Sequence, residues 1–333
     1  MSRRLDEIDA VRGFAILLVV LGHSITKVPV DLQSNYYLEI LSHVITSFHM
    51  PLFFFLSGYC FKYVSDYKNR IKNIIIRFGV PYIFYNILDT LPRTILGNGL
   101  ITETKSLYTS IFDVMFCGGK LWYLYSLAIM LIIYTLWYSL INKSNKIKCF
   151  TLLLFIVLAE LRINCDLFTI NKLTAYSCYF LLGDIVKNLP FNIFEYRNKT
   201  IVNISTVCLL VFLVSAAICG NFSMRVGIAV IGIMMSIGCS YNYIFVRLFK
   251  YWGKISLQIY MLNSMVIMVS RTVAFRLLGI TNPYLTFVFN FICGFCGSWA
   301  IFYFIINKSK ILRFVYGLKS ATPPINLRRD IQT

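Results

Sequence analysis

Runs of about twenty apolar residues recur along the whole chain, parted by short basic loops. This pattern constrains the fold more than any other feature. A bilayer offers no partners to backbone N–H and C=O groups, so such a run folds as a helix that satisfies itself. The ten-residue alternating strands of a transmembrane barrel are not visible. Charged residues make up only 14% of the chain, too few for an ordinary soluble domain, and mean hydropathy is +0.71. The expected fold is therefore all-α: a polytopic integral membrane protein of about ten transmembrane helices. The runs fall near 10–29, 37–62, 74–91, 120–141, 149–164, 173–188, 200–219, 226–246, 255–278 and 284–306. Pro51 is expected to kink or break the second.

The net charge of +18 does not point to nucleic acid. With the N-terminus inside, 23 of the 32 Lys and Arg residues fall in cytoplasmic segments, which obeys the positive-inside rule. An odd number of spans would break the pattern, so both termini are expected in the cytoplasm. One transmembrane domain over 1–310 and a short basic tail over 311–333 are expected, with no extramembrane domain. MSRRLDEIDAVRG carries acidic residues unlike a cleaved leader, so the first helix is expected to stay. No internal repeat marks the chain as a secondary transporter.

Ten cysteines are scattered through apolar segments, a pattern of small helix residues rather than of a disulfide framework. Cys293 and Cys296 sit beside Gly294 and Gly297, which reads as close helix packing, and no metal site is expected. His23 is the only ionisable residue in the run Gly13–Ile25, and such a group at that depth is costly unless it has a partner or a function. Arg12 lies eleven residues earlier, within about 20° of the same helix face but about 16 Å away along the axis. His49, in FHMPLFFFLSGY, is expected at the depth of His23, near the bilayer centre. His43 is expected nearer the outer surface, in an incidental role. Asp9 reads as a cap or a partner for Arg12. Asp184 and Glu160, the latter beside Arg162, read as interface anchors or cavity residues. Arg271 and Arg276 depart from the inside bias and could meet an acidic or phosphate-bearing acceptor.

Arg12 and His23 within IDAVRGFAILLVVLGHS, followed by FHMPLFFFLSGY, resemble the membrane-bound acyltransferase-3 family, and within it the fucose 4-O-acetylase-like O-acetyltransferases. GGKLWYL, YFLLGDI and WGKISLQIYMLN fit in order, so the resemblance covers almost the whole chain. It implies a multi-pass enzyme of the bacterial inner membrane, an O-acetyltransferase with no permanently bound cofactor. Acetyl-CoA would be the donor and a sugar hydroxyl of a surface glycan, or its lipid-linked precursor, the acceptor. The family's essential Arg and His map onto Arg12 and His23, and its basic motif onto Lys68–Arg77. Arg77 precedes Pro81-Tyr82, but the earlier Arg of an Arg-x-x-Arg is absent; Arg70 and Lys72 are the nearest substitutes. The ninth-helix motif often ends in His, where this chain has Asn263, which cannot shuttle a proton near neutral pH.

The chemistry of the residues agrees. A thioester-to-ester transfer needs a base near the hydroxyl, which the ordinary pKa of His23 suits. It also needs substrate contacts or oxyanion donors, for which Ser57, Trp122 and Asn263 are candidates, and His49 and Arg12 join His23 as candidate catalytic residues. Arg12, Arg70, Lys72 and Arg77 are the expected phosphate contacts for CoA. His49 and Asn263 are the candidates to orient His23. Direct transfer and an acetyl-histidine carrier both remain open, as does a second class of function, a transporter or flippase for a polysaccharide precursor.

Overall fold

A computed structural model of the chain describes residues 6–96, 107–141, 144–190 and 225–318, with 193–194, 206–207, 209–211 and 214. All regular structure among the described residues is helical. In order the helices are α1 (Asp6–Ser24), α2 (Tyr36–Tyr59), α3 (Tyr67–Ile74), α4 (Val80–Leu96), α5 (Leu107–Phe116), α6 (Trp122–Ile141) and α7 (Asn145–Glu160). Then come α8 (Ile170–Lys187), α9 (Arg225–Cys239), α10 (Tyr243–Lys254), α11 (Ser256–Thr272), α12 (Pro283–Phe304) and α13 (Lys310–Val315). The starts follow from local chemistry. Asn35, Asp66 and Asn282 accept backbone N–H groups at the heads of α2, α3 and α12, and Pro283 opens α12, where its missing N–H costs nothing.

Ten spans are not found. Four stretches among the described residues are long and apolar enough to cross a membrane: Tyr36–Tyr59, Tyr108–Tyr138, Ser256–Leu277 and Pro283–Lys308. A fifth is α9 with α10, if that pair is one span, but it is bent by 109°. The shortfall has plain causes. Helix α1 carries Asp6, Glu7, Asp9 and Arg12, and α8 carries Lys172, Asp184 and Lys187. Helices α4 and α7 have 17 and 16 residues, short of a bilayer's thickness at 1.5 Å per residue. Most of the run at 200–219, and the last residues of the basic tail, lie outside the described residues. Pro51 does not break the second helix, since α2 runs unbroken through it. The start of the expected tail is packed: α13 buries Arg313, and the Tyr316 carbonyl accepts a bond from Gln258 Nε2.

Helix α1 is the hub. It packs on α2, α9, α10, α11 and α12, and Val11, Ala15, Ile16, Val19 and Val20 are sealed in the core. Two crossings set its position. At the α1–α10 crossing a Cβ on Gly253 would overlap the Asp9 carbonyl, and one on Gly13 would overlap that of Phe249. At the α2–α8 crossing Gly58 and Gly183 meet the carbonyls of Phe180 and Phe55 in the same reciprocal way. Small residues let the backbones touch, which is how helices gain packing energy where lipid supplies no hydrophobic drive. Gly294 and Gly297, beside the two cysteines of α12, similarly bring Ile267 and Val266 of α11 close.

Candidate functional site

Helix α1 ends at Ser24, so His23 sits in its last turn rather than in the middle of a span over 10–29. Its Nδ1 lies 2.6 Å from Asn263 Oδ1 on α11. The orientation of that amide is fixed from behind. Asn263 Nδ2 donates to the carbonyls of Ile259 at 2.9 Å and Tyr260 at 2.7 Å, and both can only accept. The oxygen therefore faces the imidazole, His23 Nδ1 carries the proton and donates it, and Nε2 keeps its lone pair. Asn263 is fully buried, so the amide is shielded from competing water.

His23 is exposed and lines a cavity of about 260 Å³. Thr26, Lys120, Ser264 and Arg271 supply the other polar walls, and Ile267 and Met268 the apolar ones. Lys120 is paired with Asp89 at 3.2 Å. Arg12 is on the His23 face, as the spacing requires, with the sealed side chains of Ile16 and Val19 between them. Its guanidinium donates to Cys60 Sγ at 3.2 Å and lies 3.6 Å from Asp9, which is completely buried. Arg12 thus ties α1 to the end of α2 and leaves part of itself exposed.

The remaining sequence candidates are placed as follows. His49 Nδ1 donates to the Ile45 carbonyl at 2.6 Å, so it is Asn263, not His49, that holds His23. His43 is exposed. Ser57 donates to the Phe53 carbonyl and lies 3.3 Å from the Tyr123 hydroxyl. Trp122 stacks on Tyr176 and carries Lys172 over its ring, on the α8 side. Its neighbour Tyr123 faces inward instead, with its ring edge against Tyr260, one turn before Asn263. Arg70 sits over the Phe61 ring, while Lys72 and Arg77 are exposed. Arg77 lies in a π-helical turn, Ile75–Gly79, between α3 and α4; such turns are frequent at functional sites. Arg276 lies in a second one, Val273–Leu277. Glu160 accepts the Val226 N–H and so caps α9. Asp184 pairs with Lys148 at 2.8 Å and accepts the Tyr134 hydroxyl, away from the His23 cavity. Among the described residues no group of His, Cys, Asp and Glu could hold a metal ion.

The sequence reading missed Lys120, Thr26, Ser264, Tyr123 and Tyr260. The GGKLWYL motif contained Lys120 and Tyr123, and its register relative to Trp122 was the available signal.

A polar pair set into an apolar helix bundle, with an arginine on the same helix, is the arrangement that comparison with known families decides. A family model described as an acyltransferase domain, acyltransferase-3, matches residues 5–303 of the chain. The chain belongs to the acyltransferase-3 family. No curated protein and no solved structure matches it. The match takes in Arg12, His23, the π-helical turn at Arg77, Lys120, Asn263 and Arg271 of this acyltransferase, and stops just short of α13.

Proposed function

We propose that this membrane acyltransferase moves an acetyl group from cytoplasmic acetyl-CoA to a sugar hydroxyl of a cell-surface glycan or its lipid-linked precursor, in the bacterial inner membrane. One observation carries the reading: Asn263 fixes the His23 tautomer and leaves Nε2 able to take a proton. Nε2 acts as the general base. As the hydroxyl oxygen attacks the thioester carbonyl, Nε2 removes its proton. The tetrahedral intermediate then expels the CoA thiolate, which takes that proton back from Nε2. Ser57 gives its one proton to the Phe53 carbonyl, so the Tyr123 hydroxyl, 3.3 Å from Ser57, is the donor offered to the oxyanion. Arg12, Arg70, Lys72 and Arg77 receive the CoA phosphates, and the π-helical turn sets the direction of Arg77.

The test is transfer of labelled acetyl from acetyl-CoA by membranes that hold the protein, read with NMR of the surface polysaccharide from cells with and without the gene. Loss of O-acetyl signals at unchanged polymer amount is expected. Loss of the polymer itself would instead favour the transporter reading.

Replacing Asn263 tests the orienting bond. Asn263→Leu keeps the volume but removes the acceptor that fixes the His23 tautomer and ring orientation. The expected result is a kcat about 10–100-fold lower with KM for acetyl-CoA unchanged. An unchanged kcat would show that the bond does not position the base.

A further inference from the structure

The segment that follows α2 carries an aromatic shelf beside a half-buried cation. Arg70, in α3, lies over the Phe61 ring at 5.4 Å, and among the described residues its guanidinium has neither a carboxylate partner nor a hydrogen-bond acceptor. Its Nε is buried, whereas its two Nη groups keep open surface. A cation held partly out of water with no counter-charge is costly until an anion completes it. From Phe61 the shelf continues outward. The Phe61 ring packs on Tyr138 at 5.8 Å, and Tyr138 stacks on Tyr63 at 4.5 Å with the planes 13° apart. The row ends at Tyr63, which has no second ring partner among the described residues and is 46% exposed. The shelf is fixed from below, since Phe61 is buried and Lys187, the last residue of α8, donates to its carbonyl. Cys60, just before it, accepts from Arg12, so the shelf stands at the Arg12 end of α1. Lys68 and Lys72, on the same short helix as Arg70, are exposed and unpaired among the described residues. Asp66, the one acidic residue in the stretch 61–77, is engaged by Asn69 as the cap of α3. A tyrosine that only anchored the protein at the membrane surface would need neither the parallel stack nor the bare cation at its other end.

We infer that the base at the nucleotide end of CoA stacks on the open face of Tyr63, with a phosphate of the same molecule on the Nη groups of Arg70; this rests on the acetyl-CoA donor of the proposed function. A flat base extends the Tyr138–Tyr63 stack by one more plane, and every base has a face that can do so. Arg70 serves both ends of the shelf without conflict. Its guanidinium meets the Phe61 ring with its face and takes a phosphate with its edge, through two parallel bonds. With base and phosphate held here, the arm that bears the thioester runs past Arg12 and along α1 toward His23. The shelf thereby selects the class of donor. A thioester on CoA carries the base that Tyr63 holds, while the same arm on a carrier protein carries none.

The test uses the full-length protein purified in detergent and the two ends of the donor. Adenosine 3′,5′-bisphosphate has the base and phosphates but no thioester, and S-acetylpantetheine has the thioester but no nucleotide. The wild type is expected to bind the bisphosphate. Tyr63→Ala is expected to weaken that binding about tenfold and to raise KM for acetyl-CoA by the same factor at unchanged kcat, with transfer from S-acetylpantetheine untouched. Tyr63→Trp should keep the affinity, and Arg70→Gln should lower it and flatten its dependence on salt. No binding of the bisphosphate, binding that Tyr63→Ala leaves unchanged, or an equal loss with S-acetylpantetheine would overturn the inference. If Tyr63→Ala does not fold, Tyr63→Trp decides: the bisphosphate must quench the added indole emission, and an unquenched indole rules the stack out. Transfer from acetyl-CoA at an unchanged KM in Tyr63→Ala would remove the base platform and leave the acyltransferase in place. Bisphosphate binding that needs Tyr63, with no acetyl transfer at all, would sink the acyltransferase chemistry and leave the nucleotide site standing.

Discussion

His23→Ala is expected to abolish acetyl transfer in membranes that contain the protein at its normal level. A positioned base contributes about 10²–10⁴ in rate. His49 also donates its Nδ1–H to a carbonyl, that of Ile45, which leaves its own Nε2 a lone pair, so His49→Ala is the companion variant, and it is expected to keep transfer; His43 is exposed on α2. Two controls separate chemistry from folding. His23 opens onto a cavity, so truncation enlarges a space that already exists instead of hollowing the core. The variant should therefore melt close to the wild type in detergent and still bind acetyl-CoA. Retained transfer would remove His23 from the mechanism, and with it the role given to Asn263.

Asp184→Ala is expected to have the largest effect on stability. Asp184 holds Lys148 at 2.8 Å and the Tyr134 hydroxyl at 2.8 Å, so one carboxylate joins α6, α7 and α8. Lys148 and Asp184 are 8% and 1% exposed, which places the pair out of reach of water. Removing one partner of a buried pair costs about 3–5 kcal/mol because the other charge is stranded. The variant should melt far below the wild type in detergent, or fail to accumulate, with normal activity per folded molecule. Replacing both partners, Lys148→Met with Asp184→Leu, should restore most of the stability, since no stranded charge remains. If the double variant were as unstable as the single one, the pair would not be the source of the loss. If folded Asp184→Ala protein were inactive, Asp184 would belong to the chemistry.

The contrast between these two residues shows what could be read from the sequence. His23 stood out because a histidine in an apolar run has few reasons to be there, and helical spacing alone put Arg12 on its face. Asn263 was named as a candidate to orient it, but only tertiary packing shows the carbonyls of Ile259 and Tyr260 fixing its amide. Asp184 sat in the stretch YFLLGDI, and its role stayed open because Lys148, its partner, comes from another helix. The helical class followed from hydropathy, whereas the span count did not. The charged residues of α1 and α8 were visible in the sequence, but the short lengths of α4 and α7 and the sharp bend after Cys239 follow from where each helix starts and stops, which hydropathy does not show. The cavity was unreadable for the same reason: Lys120, Thr26 and Arg271 lie far apart in sequence and meet only in the fold.

The locked amide of Asn263 carries one more consequence. Many histidines relay protons, taking one at the first nitrogen and releasing one from the second. Here the second nitrogen is bonded to an oxygen that can only accept, and behind that oxygen stands a nitrogen already committed twice. As the proposed base, His23 is a cul-de-sac for protons. What enters at Nε2 must leave at Nε2, so the ring returns to its starting state only when the departing thiolate collects the proton at the same door. Catalysis then needs no proton wire through the membrane, and turnover consumes none of the proton gradient across it.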